Sequence, residues 1–232
     1  MRKQVIESER YFCLSVVIAL ITNLLAFQGS RLLEKGRIHH DLTTPLDPMI
    51  PFLPWTVVIY LGCFLFWVYV YWVVAQLPRQ TADRFFCANF LGKAISFIVF
   101  TAFPTAITRP DLQGLYATDL WQSALRMLYW IDAPDNLFPS LHCMISWLCW
   151  VGIRRNRQVS LTCRAFALLM AVAVCLSTLT TRQHVLPDVT GGILLSELCY
   201  WVAGSRKLLS AYSAFIDRLL IGTKQIKEKL MI

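Results

Sequence analysis

Long apolar runs alternate with short polar segments along this chain, and the lengths of the runs predict membrane-crossing helices. No Asp, Glu, Lys or Arg occurs between Asp47 and Arg79, a longer stretch than a buried core helix requires. Shorter stretches without those charges cover 11–30, 85–92, 94–108, 136–153, 165–181 and 189–196. A transmembrane helix needs about 20 mostly apolar residues. The pattern therefore predicts six spans, near 11–28, 53–76, 85–107, 138–153, 163–181 and 185–203. The fourth is short, and the third and sixth carry Lys93, Asp188 and Glu197. The expected fold class is all-α: a polytopic six-helix membrane bundle over 1–204, with its site at the extracytoplasmic end. A basic, amphipathic cytoplasmic tail is expected over 205–232.

Between the spans, two segments show helical amphipathicity. Leu120–Ile131 is partly amphipathic and aromatic, and predicts a helix lying on the outer surface over the site. After Ala203, apolar residues recur at helical spacing (Leu208, Leu209, Tyr212, Phe215, Ile216, Leu219, Leu220) with basic residues between and after them, which predicts an interfacial helix. The first run follows Arg2, Lys3 and Arg10, but Ala26–Ser30 only loosely resembles a cleavage site, so it reads as an uncleaved helix. No repeat or low-complexity tract is present.

Composition agrees with the pattern. The 232 residues are 56% hydrophobic and 16% charged, against roughly 45–50% and 25% in a soluble domain. The eight cysteines form no C-x-x-C pair and sit mostly inside the runs, as buried apolar thiols do. His39-His40 lies in a charged, proline-containing loop and reads as solvated. Most of the 22 Lys and Arg fall on the face shared by the N-terminus, which the positive-inside rule makes cytoplasmic. The expected location is a bacterial cytoplasmic membrane, with both termini on the cytoplasmic side. The net charge of +8 suggests contact with anionic membrane lipids. It argues against nucleic acid, because the positive residues follow helix ends instead of one groove. Protein partners are not indicated.

Three short segments carry nearly all the informative polar chemistry: Thr108-Arg109-Pro110, Phe138-Pro139-Ser140-Leu141-His142, and Thr181 to Asp188. Chain parity through the predicted spans brings all three to one membrane face. Each residue also has a plain structural reading. Ser140 can cap a helix, Pro187 suits a first turn, Arg109 and Arg182 can snorkel, and His142 can be a packing residue. Together they suit a phosphate ester. Arginine forks match its oxygens, and a helix N-terminus with a serine hydroxyl adds an anion site. An imidazole paired with a carboxylate four residues on, as in His184 and Asp188, is a competent nucleophile near neutral pH. A second imidazole can protonate the departing alkoxide. This chemistry calls for no metal and no cofactor.

These residues resemble the type-2 phosphatidic acid phosphatase superfamily of membrane lipid phosphatases and phosphotransferases, whose pattern is K-x6-R-P, P-S-G-H and S-R-x5-H-x3-D. Arg109-Pro110, Pro139-Ser140-Leu141-His142 and His184-Val185-Leu186-Pro187-Asp188 match parts of it, over about 85–203. The resemblance implies that His184 is the nucleophile forming a phosphohistidine, with Asp188 orienting it. It implies His142 as general acid and then base, and Arg109 and Ser140 as phosphate-holding groups. Two of the pattern's cations are missing: Ala102 and Thr178 stand where lysine and arginine belong. Arg182 is the candidate replacement, and a basic residue there is similar to a divergent branch that includes inositol-phosphoceramide and sphingomyelin synthase relatives. The leading expectation is hydrolysis of a lipid phosphate monoester or diphosphate. The first alternative is transfer to a lipid hydroxyl by the same residues. An anion transporter or noncatalytic membrane protein is the alternative of another class, but the paired broken helices that would support transport are not present.

Overall fold

The computed structural model describes residues 2–33, 36–110, 112 and 120–230, with side chains described between 9 and 222. Among these the architecture is helical. Helix α1 (Arg2–Leu24) continues through a π-helical turn (Leu25–Gly29) into the short α2 (Ser30–Leu33). There follow α3 (Val57–Ala75), α4 (Arg79–Ala102), α5 (Leu120–Ile131), α6 (Leu141–Ile153), α7 (Leu161–Thr180), α8 (Leu186–Val202) and α9 (Arg206–Leu230).

Among the described residues, four segments are long and apolar enough to cross a membrane: Glu9–Leu33, Pro54–Ala75, Arg79–Ala102 and Leu161–Thr180. Their outward faces are apolar too. Leu20, Leu65 and Leu169 are all exposed, as expected where hydrocarbon and not water is the solvent. Helices α6 and α8 are shorter. Helix α6 has 13 residues, about 20 Å at 1.5 Å per residue, and most of its side chains are buried. It packs most extensively on α8 and α7, and also touches α3 and α4. The bundle is therefore wrapped around the helix that carries His142. Gly192 permits a close approach of helix to backbone: a Cβ there would stand 2.6 Å from the Ser140 carbonyl oxygen. Any side chain would push α8 away from the start of α6.

Polar groups secure the helix ends. Ser140 caps α6 by accepting the Cys143 amide at 3.3 Å, and Ser160 caps α7 through the Cys163 amide at 3.2 Å. Such caps contribute about 1 kcal/mol each. The segment expected as an amphipathic tail is helical and docked on the bundle. Tyr212 and Ile216 are buried in the core, Ser213 Oγ donates to Asp83 at 2.6 Å, and Arg79 bridges Asp83 and Asp217 at 2.8 Å each.

At the opposite end the loops are tied together. His40 exchanges backbone bonds with Pro104 and Ala106, Ile107 donates to the Pro134 carbonyl, and the His40 ring stacks on Phe103 at 4.4 Å. His40 is part of this scaffold. Arg31 binds Asp135, with its Nε at 2.8 Å, and Asn136 donates to Ser30 Oγ at 2.9 Å. These bonds hold the 132–138 segment against the end of α1 and α2.

Candidate active site

The turn between α7 and α8 is built by its backbone. The Gln183 amide donates to Thr178 O at 2.9 Å and the Arg182 amide to Leu179 O at 3.1 Å, with Arg182 left-handed at φ 54°. This is the Schellman closure of a helix, usually made with glycine at the left-handed position. Arginine there carries a cost on the order of 1–2 kcal/mol. Its guanidinium offsets that by donating to the carbonyls of Asp47 and Ile50, both at 2.6 Å. Arg182 is expected at the phosphate, and its guanidinium faces this loop; neither it nor Arg109 is among the residues lining the adjoining cavity. The reason for the direction of Arg182 is local: a left-handed residue at that position directs its side chain to the 47–50 turn. Asp47, itself buried, completes the join by accepting the Leu186 amide at 2.7 Å.

The closure places His184 and Asp188 side by side. His184 Nδ1 lies 3.3 Å from Asp188 Oδ2, which also accepts the Val185 amide at 3.0 Å. Both are buried. With Asp188 ionised and the imidazole neutral, Nδ1–H donates and Nε2 keeps its lone pair. The Ser140 amide donates to the Asp188 carbonyl at 3.0 Å, which joins the starts of α6 and α8. This brings His142 next to His184, with ring centroids 6.2 Å apart. Ser140 thus acts as cap and joint in this structure, and it does not line the cavity.

His142 has partners that its sequence neighbourhood did not reveal. Tyr60 from α3 lies over its ring, with the hydroxyl 3.3 Å from Nδ1, and the same hydroxyl is 3.2 Å from Asp132 Oδ2. With Asp132 ionised, Tyr60 donates to it and accepts from His142 Nδ1–H. Both imidazoles are therefore anchored at Nδ1, and their Nε2 atoms are free of those anchors.

Arg109 is the guanidinium brought to this centre. It donates to the carbonyls of Asp132 and Ala133 and to Gln183 Oε1, and it stacks over Tyr129 at 4.7 Å. Burial lowers its pKa and raises that of Asp132, with mutual attraction opposing both shifts. Among the described residues, Arg109 Nε and Gln183 Nε2 are buried donors without a hydrogen-bond partner. Asp188 Oδ1 is a buried acceptor without one; an unpaired buried group costs about 1–3 kcal/mol, so the two donors lack an acceptor and the carboxylate lacks a second donor. A cavity of about 300 Å³ adjoins it. Tyr60, Asp132, His142, Gln183 and His184 form its polar wall, while Phe27, Leu61, Phe64, Met127 and Ile131 form an apolar wall. Helix α5, expected as an amphipathic cover, supplies Met127 and Ile131.

The two positions that lack expected cations are also accounted for. Thr178 is buried, with its carbonyl accepting the Gln183 and His184 amides. Ala102 is exposed at the end of α4. Lys93 is buried well away, donating to Ala19 O at 2.7 Å. Tyr60, Asp132 and Gln183 are the site residues that sequence reasoning missed. Gln183 sat inside a flagged segment, but an amide has no spacing signature. Tyr60 was one aromatic in an apolar run, and Asp132 one of several loop acids.

The fold and cavity define a helical protein with apolar, membrane-length helices and two buried histidines side by side at one end. A sequence model of the PAP2 superfamily matches residues 52–202, and the chain belongs to that superfamily. Membership supports a phosphatase-type function in broad terms. No curated protein and no solved structure matches the chain.

Proposed function

We propose that the protein is an integral-membrane lipid phosphatase that cleaves a lipid phosphate ester through a phosphohistidine on His184. The observation that carries this reading is the pairing of two Nδ1-anchored imidazoles around a centre whose buried donors lack an acceptor. A phosphoryl oxygen would satisfy Arg109 Nε and Gln183 Nε2 with charge-assisted bonds. His184 Nε2 attacks phosphorus while Asp188 stabilises the imidazolium that forms. His142, protonated at Nε2 and steadied through Tyr60 by Asp132, gives its proton to the departing lipid alkoxide. The same nitrogen then takes a proton from water, whose oxygen attacks phosphorus and breaks the P–N bond. Arg109 offsets charge on the transferring group. The apolar wall suits the tail of a lipid. In this reading α6 and α8 also cross the bilayer, giving six spans, and the positive-inside rule directs the site outward and the termini inward.

A second reading, transfer to a lipid hydroxyl instead of water, has its own support. The centre holds one arginine, and the Asp132 carboxylate stands in its wall. That balance suits a singly charged phosphodiester better than a doubly charged monoester. The experiment is a panel of lipid phosphate monoesters, diphosphates and phosphodiesters, given to purified protein in excess chelator, with and without a lipid alcohol. Mass spectrometry of the products is the readout. Inorganic phosphate released from a monoester or diphosphate is expected. A new phosphodiester formed only with the alcohol would replace hydrolysis by transfer, and no turnover of any ester would end both readings.

A further inference from the structure

At the end of α6 and α8 remote from the histidines lies a second cleft, of about 490 Å³. It is framed by the start of α4, the end of α6 with the turn after it, and the end of α8. Its wall carries Arg84, Arg154, Arg155 and Arg157 against one carboxylate, Glu197. We propose that this cleft is a binding site for the phosphate headgroup of an anionic phospholipid. The proposal does not depend on the chemistry assigned to the opposite end.

The arginines are arranged for a ligand and not merely scattered along a loop. Arg154 forks onto Glu197 at 2.6 and 2.8 Å and stacks over Trp150 at 4.7 Å. That pair neutralises one charge and fixes the floor of the cleft. Arg84 lies over the Tyr200 ring at 4.2 Å, and its Nε donates to Tyr200 O at 3.0 Å. That bond uses Nε and not the terminal nitrogens, the atoms that fork onto a phosphate, and Arg84 is among the residues lining the cleft. Arg155 and Arg157 are exposed at the rim. A positively charged wall thus remains after the internal pair is counted.

The location selects the ligand's source. The His142 end of α6 is about 20 Å away along the helix axis, so the cleft opens at the other membrane face. Trp201, exposed beside it, and Tyr200 give the lip the aromatic character found at headgroup level. The arginine-rich face is the cytoplasmic one by the positive-inside rule, where anionic headgroups are concentrated. A phospholipid can place its phosphate on the arginines while its chains remain in the bilayer beside Trp201. A soluble phosphate has no counterpart to that second contact.

The test uses the full chain in neutral detergent and native mass spectrometry. Phosphatidylglycerol and phosphatidylcholine are the lipid probes, and inorganic phosphate and glycerol phosphate are the soluble ones. Retention of one phosphatidylglycerol in preference to phosphatidylcholine is expected. The Arg155→Gln/Arg157→Gln double variant should weaken that retention about 30-fold, the effect of two surface charges near an anionic lipid. Thermal melting gives a second readout: phosphatidylglycerol should raise the wild-type midpoint and leave the double variant's unmoved. Equal retention of the two lipids, or an unaltered double variant, would overturn the proposal. Competition by soluble phosphate at concentrations matching the lipid would overturn the choice of a lipid.

Discussion

The two ends of the α6–α8 pair hold their charges in opposite ways. At the histidine end, Gln183, His184 and Asp188 are buried, and the polar atoms left without a partner include two donors, Arg109 Nε and Gln183 Nε2, and one acceptor, Asp188 Oδ1. At the arginine end, Arg155 and Arg157 are exposed, and the one tight pair, Arg154 with Glu197, is only partly buried. Burial makes each contact at the first end costly to lose and gives it directional meaning. Exposure at the second end makes the charges additive and sensitive to salt. The first arrangement suits chemistry on one group held in one orientation. The second suits attraction of a headgroup.

The largest effect should come from His184, the proposed nucleophile. His184→Ala is expected to reduce lipid phosphate turnover to background, with no phosphoenzyme trapped from labelled substrate. Asp188→Asn keeps the shape but disturbs the imidazole tautomer, and a loss of about 10⁴ in kcat is the order expected for an orienting carboxylate. Turnover in His184→Ala near the wild-type rate would make the histidine end a binding site, and the contrast between the ends would disappear. Tyr60→Phe is the next step down. It removes one hydroxyl between His142 and Asp132, and loss of a hydrogen bond of about 0.5–1.5 kcal/mol corresponds to roughly threefold to tenfold in kcat. A shifted limb in the pH profile of kcat would separate positioning of His142 from a simple packing defect. An unmoved profile with unchanged kcat would place Tyr60 in the wall only.

The helices were legible in the sequence because apolar length is a one-dimensional signal. Expected spans near 53–76, 138–153 and 163–181 lie over α3, α6 and α7, and the surface helix expected over Leu120–Ile131 has those bounds. His142, His184 and Asp188 stand out in sequence because their spacing matches a motif and parity brings them to one face. The structure gathers them with Arg109. The direction of Arg182 was not legible, because it depends on a left-handed backbone and on the carbonyls of Asp47 and Ile50, more than a hundred residues earlier. Nothing near Arg182 in sequence encodes that. The same holds for Tyr60 and Asp132, which meet only through the packing of α3 against the segment after α5. The docking of α9 depends on Asp83, an acid just before the expected third span, accepting from Tyr11 and Ser213.

Asp132 offers the smallest effect and the sharpest test of the charge balance at the histidine end. Burial raises its carboxyl above the ordinary value, opposed by Arg109, so the folded protein disfavours the charged form. The stability tied to this group is complete below the unfolded carboxyl value and is lost as pH rises through the higher folded value. Asp132→Asn removes the titration while keeping an oxygen for the Tyr60 hydroxyl. The variant should therefore melt above the wild type by a few degrees or less at pH 7–8, where about 1 kcal/mol shifts a midpoint by some 2–4 °C in a chain of this size. The gap should close on acidification, as wild-type Asp132 becomes neutral as well. In assays the same change should favour doubly charged monoesters over singly charged phosphodiesters, because one negative charge leaves the wall. A midpoint difference constant across pH would mean that the substitution acts through packing. An unchanged substrate preference would mean that Asp132 serves Tyr60 and His142 without setting the charge of the ester the site accepts.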